Sequence, residues 1–104
     1  MSSVVVFSLT AVPERLRGAL SRWCVEVDVN LYVGSLSGRV RDELWTMIRA
    51  EVGDGSAACV FTARNEQGWV VRTAGPARRR IIDLDGMLLA THEYLPRPEN
   101  SQVR

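Results

Sequence analysis

Val4-Val5-Val6-Phe7-Ser8-Leu9-Thr10, followed after two residues by Pro13-Glu14-Arg15-Leu16-Arg17-Gly18, changes from a nearly continuous apolar run to a helical period. Residues 3–9 are short, valine-rich and almost unbroken, as expected of a central strand covered on at least one face. Pro13 suits a first helical position, and Leu16, Leu20, Trp23 and Val27 recur at helical spacing, so one helix is predicted over residues 13–26 with a single buried stripe.

Working outward, Asn30-Leu31-Tyr32-Val33-Gly34 reads as a second strand. Ser37 is a good N-cap for a second helix whose Val40, Leu44, Met47, Ile48 and Val52 face the core, and Gly53 is placed to end it. Ala57 to Ala63 and Trp69 to Thr73 are strand-like and are joined by Asn65-Glu66-Gln67-Gly68, which has hairpin chemistry. After Gly75-Pro76, the segment Asp83-Leu84-Asp85-Gly86 reads as a turn before a last strand, Met87 to Leu95. The predicted order is βαβαββ plus that extra C-terminal strand. This makes an α+β, ferredoxin-like sandwich on an antiparallel-rich sheet, one domain over residues 1–95 with a polar, proline-broken, flexible tail at 96–104. An added terminal strand commonly pairs with another chain, so Met87, Leu88, Leu89, Ala90, Thr91 and His92 are the candidate partner-binding element.

With 104 residues, of which 46% are hydrophobic, the chain can bury one core, and dimerisation would help a domain of this size, so a homodimer is expected. The net charge of +1 excludes a generally basic coat for nucleic acid, so any basic footprint must come from clustering. All 13 cations are arginine, and their planar forks suit phosphate, although a GC-rich genome explains the absence of lysine more readily than function does. Cys24 and Cys59 match no metal or redox spacing and read as reduced core thiols. The apolar run near the N-terminus is too short to span a bilayer, so no membrane role and a cytoplasmic location are expected.

Clustering is where the sequence is informative. Arg15 and Arg17 open the first predicted helix, Arg39 and Arg41 open the second, and Arg78-Arg79-Arg80 follows the Gly75-Pro76 break. A helix N-terminus carries about half a positive charge, so cations there are mildly unfavourable unless an anion compensates. Phosphate is one such anion, held by backbone N–H groups and arginine forks together. Glu14, Asp42 and Glu43 offer the alternative of ordinary surface pairs, each worth under about 1 kcal/mol. The three basic clusters, doubled by a dyad, would make a track for a duplex backbone with no element shaped to read base edges.

Other chemistries find less support. The strands lack the aromatic pairs of single-strand binders: Phe7 and Phe61 read as core, as do Trp23 and Trp45, while Trp69 at a hairpin base reads as exposed. His92 is the only histidine and nothing beside it builds a nucleophile pair, so no catalytic residue is assigned. Asp83 and Asp85 alternate onto one face and are weak metal candidates, which Gly86 explains as turn residues.

The run Val4-Val5-Val6, then Pro13, Arg15-Leu16-Arg17-Gly18, Tyr32-Val33-Gly34 with Ser37, Trp45, and Gly75 with Arg78-Arg79 and Asp83-Leu84-Asp85-Gly86, resembles the CRISPR-associated adaptation protein family Cas Two, type I-E branch, over about residues 3–92. The resemblance implies a ferredoxin-like homodimer of antiviral defence that bridges dimers of the integrase Cas One and holds a double-stranded protospacer during spacer acquisition. It implies DNA phosphate contacts by Arg15, Arg17, Arg39, Arg78 and Arg79, and docking of the integrase by Met87 to Leu95. The family is often described as a metal-dependent endonuclease, acting on RNA as well as DNA, with an acidic residue at the end of strand one. Here that place holds Thr10, flanked by Leu9 and Ala11. A scaffold that needs no cofactor for binding is therefore expected, with a Mg²⁺-dependent endonuclease built on Asp83, Asp85 or another acid as the alternative. A protein-interaction module with no nucleic-acid role is the third class.

Overall fold

The computed structural model describes residues 2–84 and 87–92, with side-chain surroundings through residue 78. Nine elements follow one another: β1 (Ser2–Leu9), α1 (Glu14–Trp23), β2 (Val25–Asp28), β3 (Leu31–Ser37), α2 (Gly38–Glu51), β4 (Ala57–Thr62), β5 (Trp69–Ala74), β6 (Arg79–Leu84) and β7 (Met87–His92). Five strands form one antiparallel sheet in the order β2-β3-β1-β4-β5, and β6 and β7 form a separate hairpin. The first four strands and two helices trace the ferredoxin-like βαββαβ path, with β5 added beside β4. The α+β class expected from the sequence is the one found.

The alternation along β1 explains how the layers form. Val5, Phe7 and Leu9 are buried beneath the helices, against Leu16 and Leu20 of α1 and Leu44, Trp45 and Ile48 of α2; Tyr32, Leu36, Cys59 and Phe61 complete that core. Cys24 and Cys59 are buried and unpaired. The other sheet face presents one valine per strand in register: Val25 opposite Val33, Val33 opposite Val6, Val6 opposite Val60, and Val60 opposite Val71. At the usual strand spacing this row is about 19 Å long.

The sequence expectation fails at β2. Helix α1 stops at Trp23, with Cys24 extended as its C-cap, and Val25–Asp28 returns as an edge strand through a turn at Asn30, whose φ of 58° is one that asparagine tolerates. Trp23 and Val27, predicted as core, are 49% and 56% exposed. Val25-Glu26-Val27-Asp28-Val29 alternates with period two, and that β-branched signal prevails over the helical spacing of Val27 from Trp23. Pro13 is the N-cap of α1 rather than its first residue, and Met47 is exposed on α2. Asp83 and Leu84, read as turn, belong to β6, where Asp83 stands opposite Leu88 and Leu84 opposite Met87.

Candidate nucleic-acid interface

Strand β1 is about 25 Å long at the usual rise, and the two helices start at its opposite ends. Ser2, where β1 begins, pairs with Ser37, and α2 starts at the next residue. Leu9, where β1 finishes, pairs with Ala57, which pairs in turn with Ala74. Helix α1 starts just beyond that finish, and Arg78 follows Ala74 by four residues. The predicted arginines therefore divide into Arg15, Arg17 and the 78–80 run near the finish of β1, and Arg39 and Arg41 near its start. Arg79 and Arg80 open β6 opposite His92 and Thr91; their side chains lie outside the described residues.

At the N-terminus of α1, Pro13 provides no side-chain cap and Glu14 is the only acid of the first turn. Arg15 is 78% exposed and donates from Nη2 to Oε2 of Glu51, the last residue of α2. Arg17 turns inward: its Nη1 donates to Glu26 Oε1 and Oε2 at 2.9 and 3.0 Å and to Tyr32 Oη at 3.1 Å. Glu26 also accepts the Asn30 N–H at 2.9 Å, which closes the β2–β3 turn. That backbone bond and the Arg17 guanidinium hold the Glu26 carboxyl below its ordinary range.

The N-terminus of α2 has a different construction. Ser37 Oγ accepts the Val40 N–H at 3.3 Å, the N-cap expected from the sequence. Arg39 is 87% exposed and pairs with Glu43 one turn on, at 3.3 Å. Arg41, only 16% exposed, lays its guanidinium 3.9 Å from the centroid of Phe61 and bonds Asp42 Oδ1 at 3.0 Å. A second guanidinium, Arg72 of β5, lies 4.9 Å from the same ring and bonds the same oxygen at 2.8 Å. Arg41 and then Arg72 keep Asp42 below its usual carboxylate range, while burial pushes Cys59 up to about 11. Arg72 escaped the sequence reading, although an arginine opposite Cys59 on the inward side of a Val-Val-Arg-Thr strand was a signal for it. Arg64 escaped too; it lines a cleft with Arg41, Gly38, Ser2 and Ser3. At the start of each helix the acidic partners are thus protein carboxylates, though Glu51 and Glu26 take the places that Glu14 was expected to fill.

Thr10, just past β1, stands where the family resemblance implies a metal-binding acid. Its N–H donates to Ser56 O at 3.0 Å, its hydroxyl donates to the same oxygen at 3.3 Å, and Ser56 N–H donates to that hydroxyl at 3.0 Å. A neutral hydroxyl already committed to backbone does not fit a divalent cation, which takes anionic and carbonyl oxygens. Asp83 has a backbone place in β6, and Asp85 lies outside the described residues. Among the described residues, no three of His, Cys, Asp and Glu come together as metal ligands.

Met87, Leu88, Leu89, Ala90, Thr91 and His92 form β7, which pairs with β6 of its own chain. Leu95 and the tail at 96–104 lie outside the described residues. No helix among the described residues is long and apolar enough to cross a membrane. The family described as CRISPR-associated protein (Cas_Cas2CT1978) matches this sequence over residues 4–89, from early in β1 into β7, including the arginine-led starts of α1 and α2 and the 78–80 run. The chain belongs to that family of CRISPR-associated proteins.

Proposed function

We propose that this protein is a non-catalytic scaffold of spacer acquisition, of the type I-E branch, that binds the backbone of duplex DNA as a homodimer and bridges dimers of the integrase Cas One. The observation that carries this reading is the sheet end where β1 finishes. It collects the exposed Arg15 and the loop leading into Arg78-Arg79-Arg80, with Arg17 held there by Glu26 and Tyr32, and its Thr10 offers no carboxylate to a metal. Arginine forks gathered there suit phosphate oxygens and carry no means of reading bases. The exposed Arg15–Glu51 pair is the weak kind that a phosphate displaces at little cost.

The dimer is supported by the valine row on the helix-free face, which a second copy would cover sheet to sheet at about 10 Å. Two copies double each basic end. Strand β7 is the proposed docking element for the integrase, as the family resemblance implies.

A salt titration of binding to a labelled blunt duplex, with and without Mg²⁺ and the cognate integrase, tests the proposal. Intact DNA is expected to bind with a log–log slope of about −0.9 per neutralised phosphate, little dependence on sequence, and tighter binding when the integrase is present. Mg²⁺-dependent fragments that disappear on mutating Asp83 would establish an endonuclease instead. Unchanged DNA migration at low salt, with and without the integrase, would leave a protein-interaction module.

A further inference from the structure

We infer that Thr10, Gly55 and Gly75 form a clasp that sets where Arg78 stands at the finish of β1, and that all three are positioning residues for the phosphate contact assigned to Arg78; this rests on the DNA-binding reading above. The clasp has three layers. Thr10 holds Ser56 through its hydroxyl and its N–H, and the preceding turn is closed by Gly55 N–H on Val52 O at 3.0 Å. Gly55 packs so tightly on Thr10 that a Cβ there would stand 2.0 Å from Thr10 Oγ1. Gly75 then packs on Gly55: a Cβ at 75 would stand 2.3 Å from Gly55 O, 2.9 Å from Val52 Cγ2 and 3.0 Å from Ser56 Cα. Gly75 also has φ +95°, a conformation that side chains disfavour.

From these layers hydrogen bonds lead directly to the arginine. Gly55 O accepts the Ala77 N–H at 3.3 Å. Gly75 O accepts both the Arg78 N–H at 3.1 Å and Arg78 Nη1 at 3.0 Å, so one carbonyl fixes the main chain and the guanidinium together. Pro76 and Ala77 are exposed and carry no polar side chain. What the clasp sets in place is therefore Arg78, half-buried at the head of the arginine run. Thr10, standing where an acid was expected, acts on DNA through the placement of a cation rather than through a metal.

The experiment measures duplex binding and its salt slope for Thr10→Val, Gly75→Ala, Arg78→Ala and the two doubles carrying Arg78→Ala, with thermal unfolding followed in parallel. Arg78→Ala is expected to weaken binding about tenfold, as for loss of one charge-assisted hydrogen-bonding group. Thr10→Val and Gly75→Ala are each expected to approach that loss and to flatten the slope as Arg78→Ala does. In the Arg78→Ala background neither is expected to weaken binding further, a non-additivity that general loosening of the fold does not produce. Additive losses would overturn the clasp, as would normal binding by Thr10→Val beside weakened binding by Arg78→Ala. If Gly75→Ala does not fold, Thr10→Val, which keeps the side-chain shape, decides alone. Unchanged binding by Arg78→Ala would instead remove the phosphate role of Arg78, and the clasp's purpose with it.

Discussion

The two helix N-termini use the same Arg-x-Arg spelling and divide it in the same way, yet the partners differ. At each, the first arginine is largely exposed, Arg15 on Glu51 and Arg39 on Glu43, and the second is drawn into the fold, Arg17 by Glu26 and Tyr32 and Arg41 by Phe61 and Asp42. Helical geometry accounts for the division, because residues two apart face different directions, so only one of each pair can reach the sheet. The inner arginines are pieces of architecture, whereas the outer ones are held only by pairs of the exchangeable surface kind. The start of α1 lies at the same sheet end as the loop that leads into Arg78, whereas the start of α2 has Arg64 and Arg72 beside it.

The sharpest way to break this comparison is to delete an inner arginine. Arg17→Ala leaves Glu26 without its guanidinium and Tyr32 Oη, on a fully buried ring, without its donor. The expected cost is about 1–2 kcal/mol, read as a fall in Tm of roughly 4–8 °C per kcal/mol in a domain of this size. Arg41→Ala is expected to cost less, about 1 kcal/mol, because Arg72 remains over Phe61 and on Asp42. Equal and negligible losses would mean that the inner arginines are ordinary surface residues.

A smaller effect on stability, and one on a different observable, is expected of the outer pair. Arg15→Ala and Arg39→Ala should each leave stability within about 0.5 kcal/mol of the parent, since both remove only exposed ion pairs. Their effects on DNA binding separate the two ends. Arg15→Ala is expected to flatten the salt slope by about 0.9 for each phosphate that is no longer neutralised, and Arg39→Ala by less, because the run beginning at Arg78, which the proposal places on DNA, lies at the other end of β1. The reverse order would place the DNA track at the start of β1.

How much of this was legible in the sequence depended on whether a signal was local. The Ser37 cap, the β1 run, the hairpin of Asn65 to Gly68 and the apolar faces of both helices follow from neighbours along the chain, and they stand as read, apart from Trp23, Val27 and Met47. Strand β2 was hidden because Val27 satisfies two periods at once, and only the edge position beside β3 decides between them. The clusters of arginine were visible, but their partners were not. Glu51 reaches Arg15 from 36 residues away, and Arg72 and Phe61 meet Arg41 only because β4, β5 and α2 pack together. Thr10 was conspicuous for the acid it replaces, whereas its use as a peg for Ser56, 46 residues on, belongs to the tertiary structure.

Acid gives the mildest perturbation and distinguishes the two inner arginines by their carboxylates. Both Glu26 and Asp42 have depressed folded-state pKa values, Glu26 first through the Asn30 N–H and then Arg17, Asp42 first through Arg41 and then Arg72. A depressed acid lends stability that is complete above its unfolded pKa and is lost as pH falls through its folded value. Tm is therefore expected to be flat from neutral pH to about 5 and to decline below about 4.3, where the unfolded glutamate begins to take up protons before the unfolded aspartate at about 3.9. Glu26→Gln should start from a lower Tm at neutral pH and decline less steeply in that acid window, with the Asn30 amide losing hydrogen-exchange protection at neutral pH. An acid decline as steep in Glu26→Gln as in the parent would detach Glu26 from the acid response and leave Asp42, at the other end of the sheet, to account for it.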